Sequence, residues 1–167
     1  MIMALDQAAL RKAFGMFATG VCVATVRDSA GAAHGITVNS FTSVSLNPAL
    51  VLWCLGDASE RFDLFSASPH YAIHVLAAGD EARAMRFAGK GDQTLAADET
   101  ETWQTGAPVL KGVMAAFDCT VVDRVRAGDH LLLIGAVERF AAAPGQDGLT
   151  YFQSRFGHAP APALSSN

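Results

Sequence analysis

The spacing of apolar residues makes this chain begin as a helix and continue as a series of strands. Leu5, Ala9, Leu10, Ala13, Phe14 and Phe17 recur at helical spacing, so roughly residues 6–18 are expected to form an amphipathic helix. Thr19-Gly20 ends it, glycine being the usual residue just past a helix. Val21 to Arg27 reads as a strand, Asp28-Ser-Ala-Gly-Ala32 as a hairpin loop, and Ala33 to Val38 as the returning partner. Asn47-Pro48 marks a turn before the apolar strand Leu50-Val-Leu-Trp-Cys-Leu55.

Beyond that strand the pattern shortens. Gly56 to Glu60 is a loop in which Ser59 is placed to cap a helix from about Glu60 to Ala67. Tyr71 to Leu76 is a strand, and Asp80 to Phe87 a short helix with Asp80 as its candidate cap. Ala88 to Ala107 is polar and aperiodic, which predicts a loop able to serve as a lid. Two long strands, about 113–125 and 130–142, are joined by a tight turn at Arg126-Ala-Gly-Asp129. The predicted architecture is mainly β with some α: an antiparallel framework with short flanking helices, best suited to a small barrel. Residues 1–158 are expected to form one domain, and 159–167, rich in Pro and Ser, a disordered tail. A doubly wound nucleotide fold would need regular strand–helix alternation and a Gly-rich first turn, and neither pattern occurs.

Composition narrows the partners. With 167 residues, 51% of them hydrophobic, the chain can bury a substantial core. Its net charge is −4 and it contains no basic block, so no electrostatic case exists for nucleic acid. Cys22, Cys54 and Cys119 lie far apart in apolar runs and read as buried reduced thiols. The N-terminus lacks the basic and apolar regions of a secretion signal, and no apolar run is long enough for a membrane span. A soluble cytoplasmic protein is expected.

The chemistry concentrates in His34-Gly-Ile-Thr-Val-Asn-Ser-Phe-Thr-Ser-Val-Ser-Leu-Asn-Pro48. Thr37, Asn39, Ser40, Thr42, Ser43 and Ser45 stand there between apolar residues, with no acid among them. Neutral donors and acceptors suit a heteroaromatic, polyhydroxylated or phosphorylated ligand. They are poor nucleophiles or acid–base catalysts, which need a tunable pKa. The pattern points to a held cofactor that supplies the chemistry. Ser59 at a helix start offers a hydroxyl and free N–H groups to a phosphate, and Arg61 adds a charge. His130 is the best-placed ionisable side chain.

Four segments, in order, resemble the short-chain flavin reductase family, whose fold is an FMN-binding split β-barrel. They are Phe14 to Thr25, His34 to Pro48, Tyr71 to Leu76 with Arg86-Phe-Ala88, and Gly128-Asp-His130 with Ile134-Gly-Ala-Val137. The resemblance covers roughly residues 10–157. It implies a homodimer that uses NADH or NADPH to reduce FMN or FAD and passes reduced flavin to a separate monooxygenase. By position it sets Thr37, Val38, Asn39 and Ser40 along the flavin ring and ribityl chain, with Ser45 in the same segment. It places Cys54 and Leu55 at the end of the next strand, with backbone facing the ring. Ser59 and Arg61 would meet the phosphate, Phe87 would pack near the flavin, and His130 would face the nicotinamide. His74 departs from the pattern, since the family more usually carries Asn in that strand.

Competing readings remain at this level. His70 and His74 share a strand face but stand roughly 13 Å apart, too far to chelate one ion, so no metal is expected. Trp103 is a loop aromatic that a lid would carry over the ligand. A non-catalytic flavin-binding protein on the same barrel is the alternative function, because fold alone does not fix activity.

Overall fold

The computed structural model describes residues 5–163. Helix α1 (Gln7–Phe14) starts where the Asp6 carboxylate accepts the N–H groups of Ala8 and Ala9, at 2.9 and 3.2 Å. It ends earlier than the apolar spacing predicts. The N–H groups of Met16 and Phe17 turn back to the carbonyls of Ala13 and Phe14, tightening the last turn. A short β1 (Thr19–Gly20) leads into β2 (Cys22–Arg27), β3 (Ala33–Val38), β4 (Thr42–Leu46) and β5 (Ala49–Gly56). Then come α2 (Phe62–Ala67), β6 (His70–Val75), α3 (Glu81–Ala88) and the short β7 (Thr94–Leu95), β8 (Thr100–Thr102) and β9 (Pro108–Leu110). The long pair β10 (Ala115–Ala127) and β11 (His130–Ala142) precedes a last hairpin, β12 (Gly148–Phe152) and β13 (Arg155–Ala159).

Among the described residues every strand pairing is antiparallel, and the fold is mainly β with few helices. The principal sheet has the order β4-β5-β11-β10-β6-β2-β3-β7. In that order β4 and β3 are six strand spacings apart, about 29 Å if the sheet were flat. Yet Val38 ends β3 and Thr42 begins β4, and that length of chain spans at most about 14 Å. The sheet is therefore rolled, with residues 39–41 crossing from one side to the other. Among the described residues no ladder of hydrogen bonds joins β3 to β4.

Period-two burial fixes what faces the inside. On β5 Val51, Trp53 and Leu55 point inward, where the Trp53 ring meets Phe65 of α2 and Tyr71 of β6 edge-on at 5.3 and 6.0 Å. A second core joins Val21, Val23 and Leu76 to Ala84 and Phe87 of α3 and Leu149 of β12. Phe87 packs closely against Gly35, and a Cβ at that glycine would come within 2.8 Å of the ring. Cys22 and Cys119 are buried free thiols whose pKa burial pushes up to about 12, and Cys54 is a half-buried free thiol.

Two expectations require correction. The region 88–107 is not a loose lid. It forms β7, β8 and a short helical turn, and is fastened at both ends: Arg86 pairs with Glu99 at 2.5 Å, and Asp118 accepts from Thr105. Trp103 lies beneath the Arg139 guanidinium at 4.4 Å and donates to Glu101, which places it in the third, smaller core. The hairpin β12–β13 was not foreseen. Ala159, where the tail was expected to begin, still pairs with Gly148, and the N–H of Ala161 donates to Asp147 at 2.8 Å. The expected disorder of residues 164–167 lies outside the described residues.

Candidate functional site

A cleft of about 470 Å³ opens where the end of β3 meets α3 and the β12–β13 hairpin. Thr37, Val38 and Asn39 form one wall, Met85 and Ala88 of α3 a second, and Tyr151, Ser154 and Phe156 a third. A neighbouring cleft of about 570 Å³ runs along Asn39, Ser40, Phe41 and Thr42 beneath the Phe17–Gly20 segment. Asn39 belongs to both. Its size, apolar walls and few polar groups suit an organic cofactor.

Most of the hydroxyls in residues 34–48 are already used by the protein. Thr37 Oγ1 donates to Ala84 O at 2.7 Å, tying β3 to α3. Ser40 Oγ accepts the Cys54 N–H at 2.9 Å and donates to Cys54 O at 3.3 Å. One side chain thus takes the place of a missing ladder rung on β5. Thr42 bonds the adjacent Ser43 carbonyl, and Ser45 accepts the Asn47 N–H in the turn. Asn39, exposed and lining both clefts, makes no side-chain hydrogen bond among the described residues, which leaves its carboxamide donor and acceptor unspent.

The remaining candidates fall into two other places. Leu55 and Phe87 are fully buried, Leu55 in the Trp53 core and Phe87 under the cleft floor. Neither lines the clefts, whereas the neighbours of Phe87, Met85 and Ala88, do. Just beyond the C-terminal end of β5, Ser59 Oγ accepts the Arg61 N–H at 3.2 Å, and α2 begins only at Phe62. Arg61 donates to Gly91 O at 3.4 Å, while Glu60 accepts the Gly91 N–H at 3.1 Å. Burial pulls the Arg61 pKa down, and the Glu60 charge beside it acts in the other direction.

His130 opens β11, paired with Gly56, and is about half exposed, with 47% of its side chain in solvent. Its Nδ1 lies 2.8 Å from Asp129 Oδ1. With Nδ1–H donating to that carboxylate, Nε2 stays available toward the Gly56 backbone and solvent. The hydrogen bond from His130 is the main reason the Asp129 carboxyl sits below its ordinary range. His130 lines neither cleft. His74, in contrast, is fully buried. Its Nδ1 donates to Val23 O at 2.8 Å and its Nε2 accepts the Leu110 N–H at 3.0 Å. Burial lowers its pKa to about 4, so it is a neutral structural bridge.

Residues 14–160 match the model of the "Flavin reductase like domain" family. This chain belongs to the flavin reductase-like family. It is 41% identical over 146 residues to the "Probable flavin reductase" of Rhizobium meliloti (strain 1021), covering 87% of this chain. The chain spans about half the length of that relative, 47% of it. It is also 41% identical over 150 residues to the FMN reductase (NADH) SmoA of Agrobacterium fabrum, covering 88% of this chain and 83% of SmoA. In structure it resembles the Streptomyces globisporus C-1027 NADH:FAD oxidoreductase SgcE6, solved in complex with NAD and FAD fragments. That likeness has a TM-score of 0.83 at 34% identity, over 97% of this chain and 96% of the other.

Within this flavin reductase-like chain, the cleft residues that the sequence did not single out include Val21, Met85, Tyr151, Ser154 and Phe156. Alternation of Leu149 and Tyr151 was a usable signal for β12. Its turn, Gln153-Ser154, carries positive φ at 48° and 63° without the Asn-Gly pair that usually announces such a turn.

Proposed function

We propose that this chain is the reductase of a two-component flavin system. It transfers hydride from NADH or NADPH to FMN or FAD and releases the reduced flavin to a separate monooxygenase. The observation that carries the reading is the unpartnered carboxamide of Asn39, set between two clefts inside the segment that bears the family resemblance. Membership in the flavin reductase-like family and the NADH-dependent relatives support it.

The residues present fit a flavin. Thr37, Val38 and Asn39 would hold it, with Met85, Tyr151 and Phe156 as apolar walls. Bound there, flavin supplies the hydride-accepting ring. The chain's part is positional. Asn39 offers one donor and one acceptor to a heterocyclic edge. The aromatic walls exclude water, and α3 is fixed behind them by the Thr37–Ala84 bond. Ser59 and Arg61 serve the phosphate, for which Arg61 would exchange its bond to Gly91. His130, held in one orientation by Asp129, presents Nε2 to the nicotinamide carboxamide.

The same reading takes the rolled sheet as a flavin-binding split barrel formed by residues 1–158, acting in the cytoplasm as a homodimer. The exposed Leu46, Val44 and Phe140 support a second copy, since a solitary chain leaves these large apolar side chains in water. A second reading, a flavin carrier without catalysis, draws on the position of His130 outside both clefts. Purified protein mixed with NADH and FMN or FAD decides between them. Flavin-dependent loss of reduced-nicotinamide absorbance, diminished in His130→Ala, is the expected result. Bound yellow flavin with no NADH oxidation would establish the carrier instead.

A further inference from the structure

We propose that the Arg11–Lys12 end of α1 is the subsite for the phosphates of the dinucleotide cosubstrate. This rests on the reading of the chain as a flavin reductase. A third cleft, about 430 Å³, is lined by Arg11, Lys12, Gly15, Met16, Gln153 and Ser154. Ser154 also lines the Thr37–Asn39 cleft, so the two open side by side at the turn of the β12–β13 hairpin. A nicotinamide dinucleotide has this composition: a flat polar ring at one end, then a linker bearing two phosphates. With the flavin ring in the Thr37–Asn39 cleft, a nicotinamide stacked at its mouth leaves the linker phosphates toward the neighbouring Arg11–Lys12 cleft.

The basic pair is held in place and unspent. The Gln153 N–H donates to Gly15 O at 3.0 Å, and Gln153 Nε2 reaches Met16 Sδ at 3.0 Å, docking the end of α1 on the hairpin. Neither Arg11 nor Lys12 forms a salt bridge or a side-chain hydrogen bond among the described residues. Both lie in the last turn of α1, where they also offset the partial negative charge of the helix end. None of the α1 residues is buried, so the helix contributes no side chain to the core.

A weak charge interaction links this cleft to the turn that carries His130. Asp129 is held low first by its hydrogen bond with His130 and, as the weakest contribution, by the charge of Arg11. Arg11 therefore lies within electrostatic reach of the turn that carries His130. On a chain of net charge −4, an anionic dinucleotide needs such a local positive site. The flavin phosphate, in the reading above, goes instead to Ser59 and Arg61, so the two anions do not compete.

The test compares wild type with Arg11→Gln/Lys12→Gln, after circular dichroism has confirmed an unchanged fold. ADP titrated calorimetrically at low and high salt serves as the probe. Salt-sensitive ADP binding by wild type that weakens about tenfold in the double variant is the expected result. The KM for NADH should rise by about the same factor while the KM for flavin holds its wild-type value. Lys12→Arg, which keeps the charge, should restore most of the difference. Equal ADP affinity in wild type and variant, or a rise confined to the flavin KM, overturns the subsite. Should wild type oxidise no NADH at all, the reductase reading fails, and the ADP comparison still judges the cleft by itself.

Discussion

Two regions of this molecule set polar side chains into strands, and they use them in opposite ways. At the seam between β2, β6 and β9, Thr25 donates to the Pro108 carbonyl, and His74 bridges Val23 and Leu110. Both side chains are fully buried and every strong polar atom on them is spent. At the end of β3, Thr37 and Ser40 are spent in the same manner, but Asn39 between them is left open to two clefts. The seam is held by its polar groups. The rim is held by Thr37 and Ser40, while Asn39 stays open to the two clefts. A polar residue at a strand end is thus free to serve a ligand where its neighbours have already satisfied the backbone around it.

The comparison is broken most severely by removing the floor the rim stands on. Phe87→Ala deletes a fully buried ring packed on Gly35 and should cost about 3–5 kcal/mol in chemical denaturation. It should also abolish flavin binding, since α3 carries Met85 and Ala88. The seam has a different weakness, in proton affinity. The folded-state pKa of His74 is near 4, below the 6.5 of the unfolded chain, so at intermediate pH the unfolded state binds more protons. Stability from this group is complete above about pH 6.5 and is lost as pH falls toward 4. The full difference is about 3 kcal/mol. His74→Asn should flatten that part of a stability-versus-pH curve measured by urea melts.

The smallest effects separate the two neighbours on the rim. Ser40→Ala strands both polar groups of Cys54 and should cost about 1–3 kcal/mol. Asn39→Ala should change stability by no more than about 0.5 kcal/mol while weakening flavin binding about tenfold, read by fluorescence titration. Equal destabilisation by both variants would erase the distinction between spent and open groups.

Much of the framework was legible because its signals are local. β2, β3, β5 and the β10–β11 pair alternate or run apolar over six or more residues and end in recognisable turns. The region 88–110 was not legible. β7, β8 and β9 are two or three residues long, and tertiary bonds from Arg86 and Asp118 hold them in place more than any propensity does. The β12–β13 hairpin escaped for want of turn chemistry, and with it went the third wall of the cleft. Within the candidate site, the residue types in 34–48 pointed to a ligand. Which of them remained free for it depended on partners as remote as Cys54 and Ala84, far beyond any local pattern.

The three residues between β3 and β4 act as the clasp of a hoop. Opening the chain in the Asp28–Ala32 turn leaves the hoop shut, whereas opening it at 39–41 turns the hoop into a ribbon whose two margins drift apart. A chain break at the hairpin turn should therefore be tolerated, and one beside Asn39 should not. In the proposed reading, a flavin held by Asn39 would tighten that clasp, and its occupancy would be felt along both margins at once.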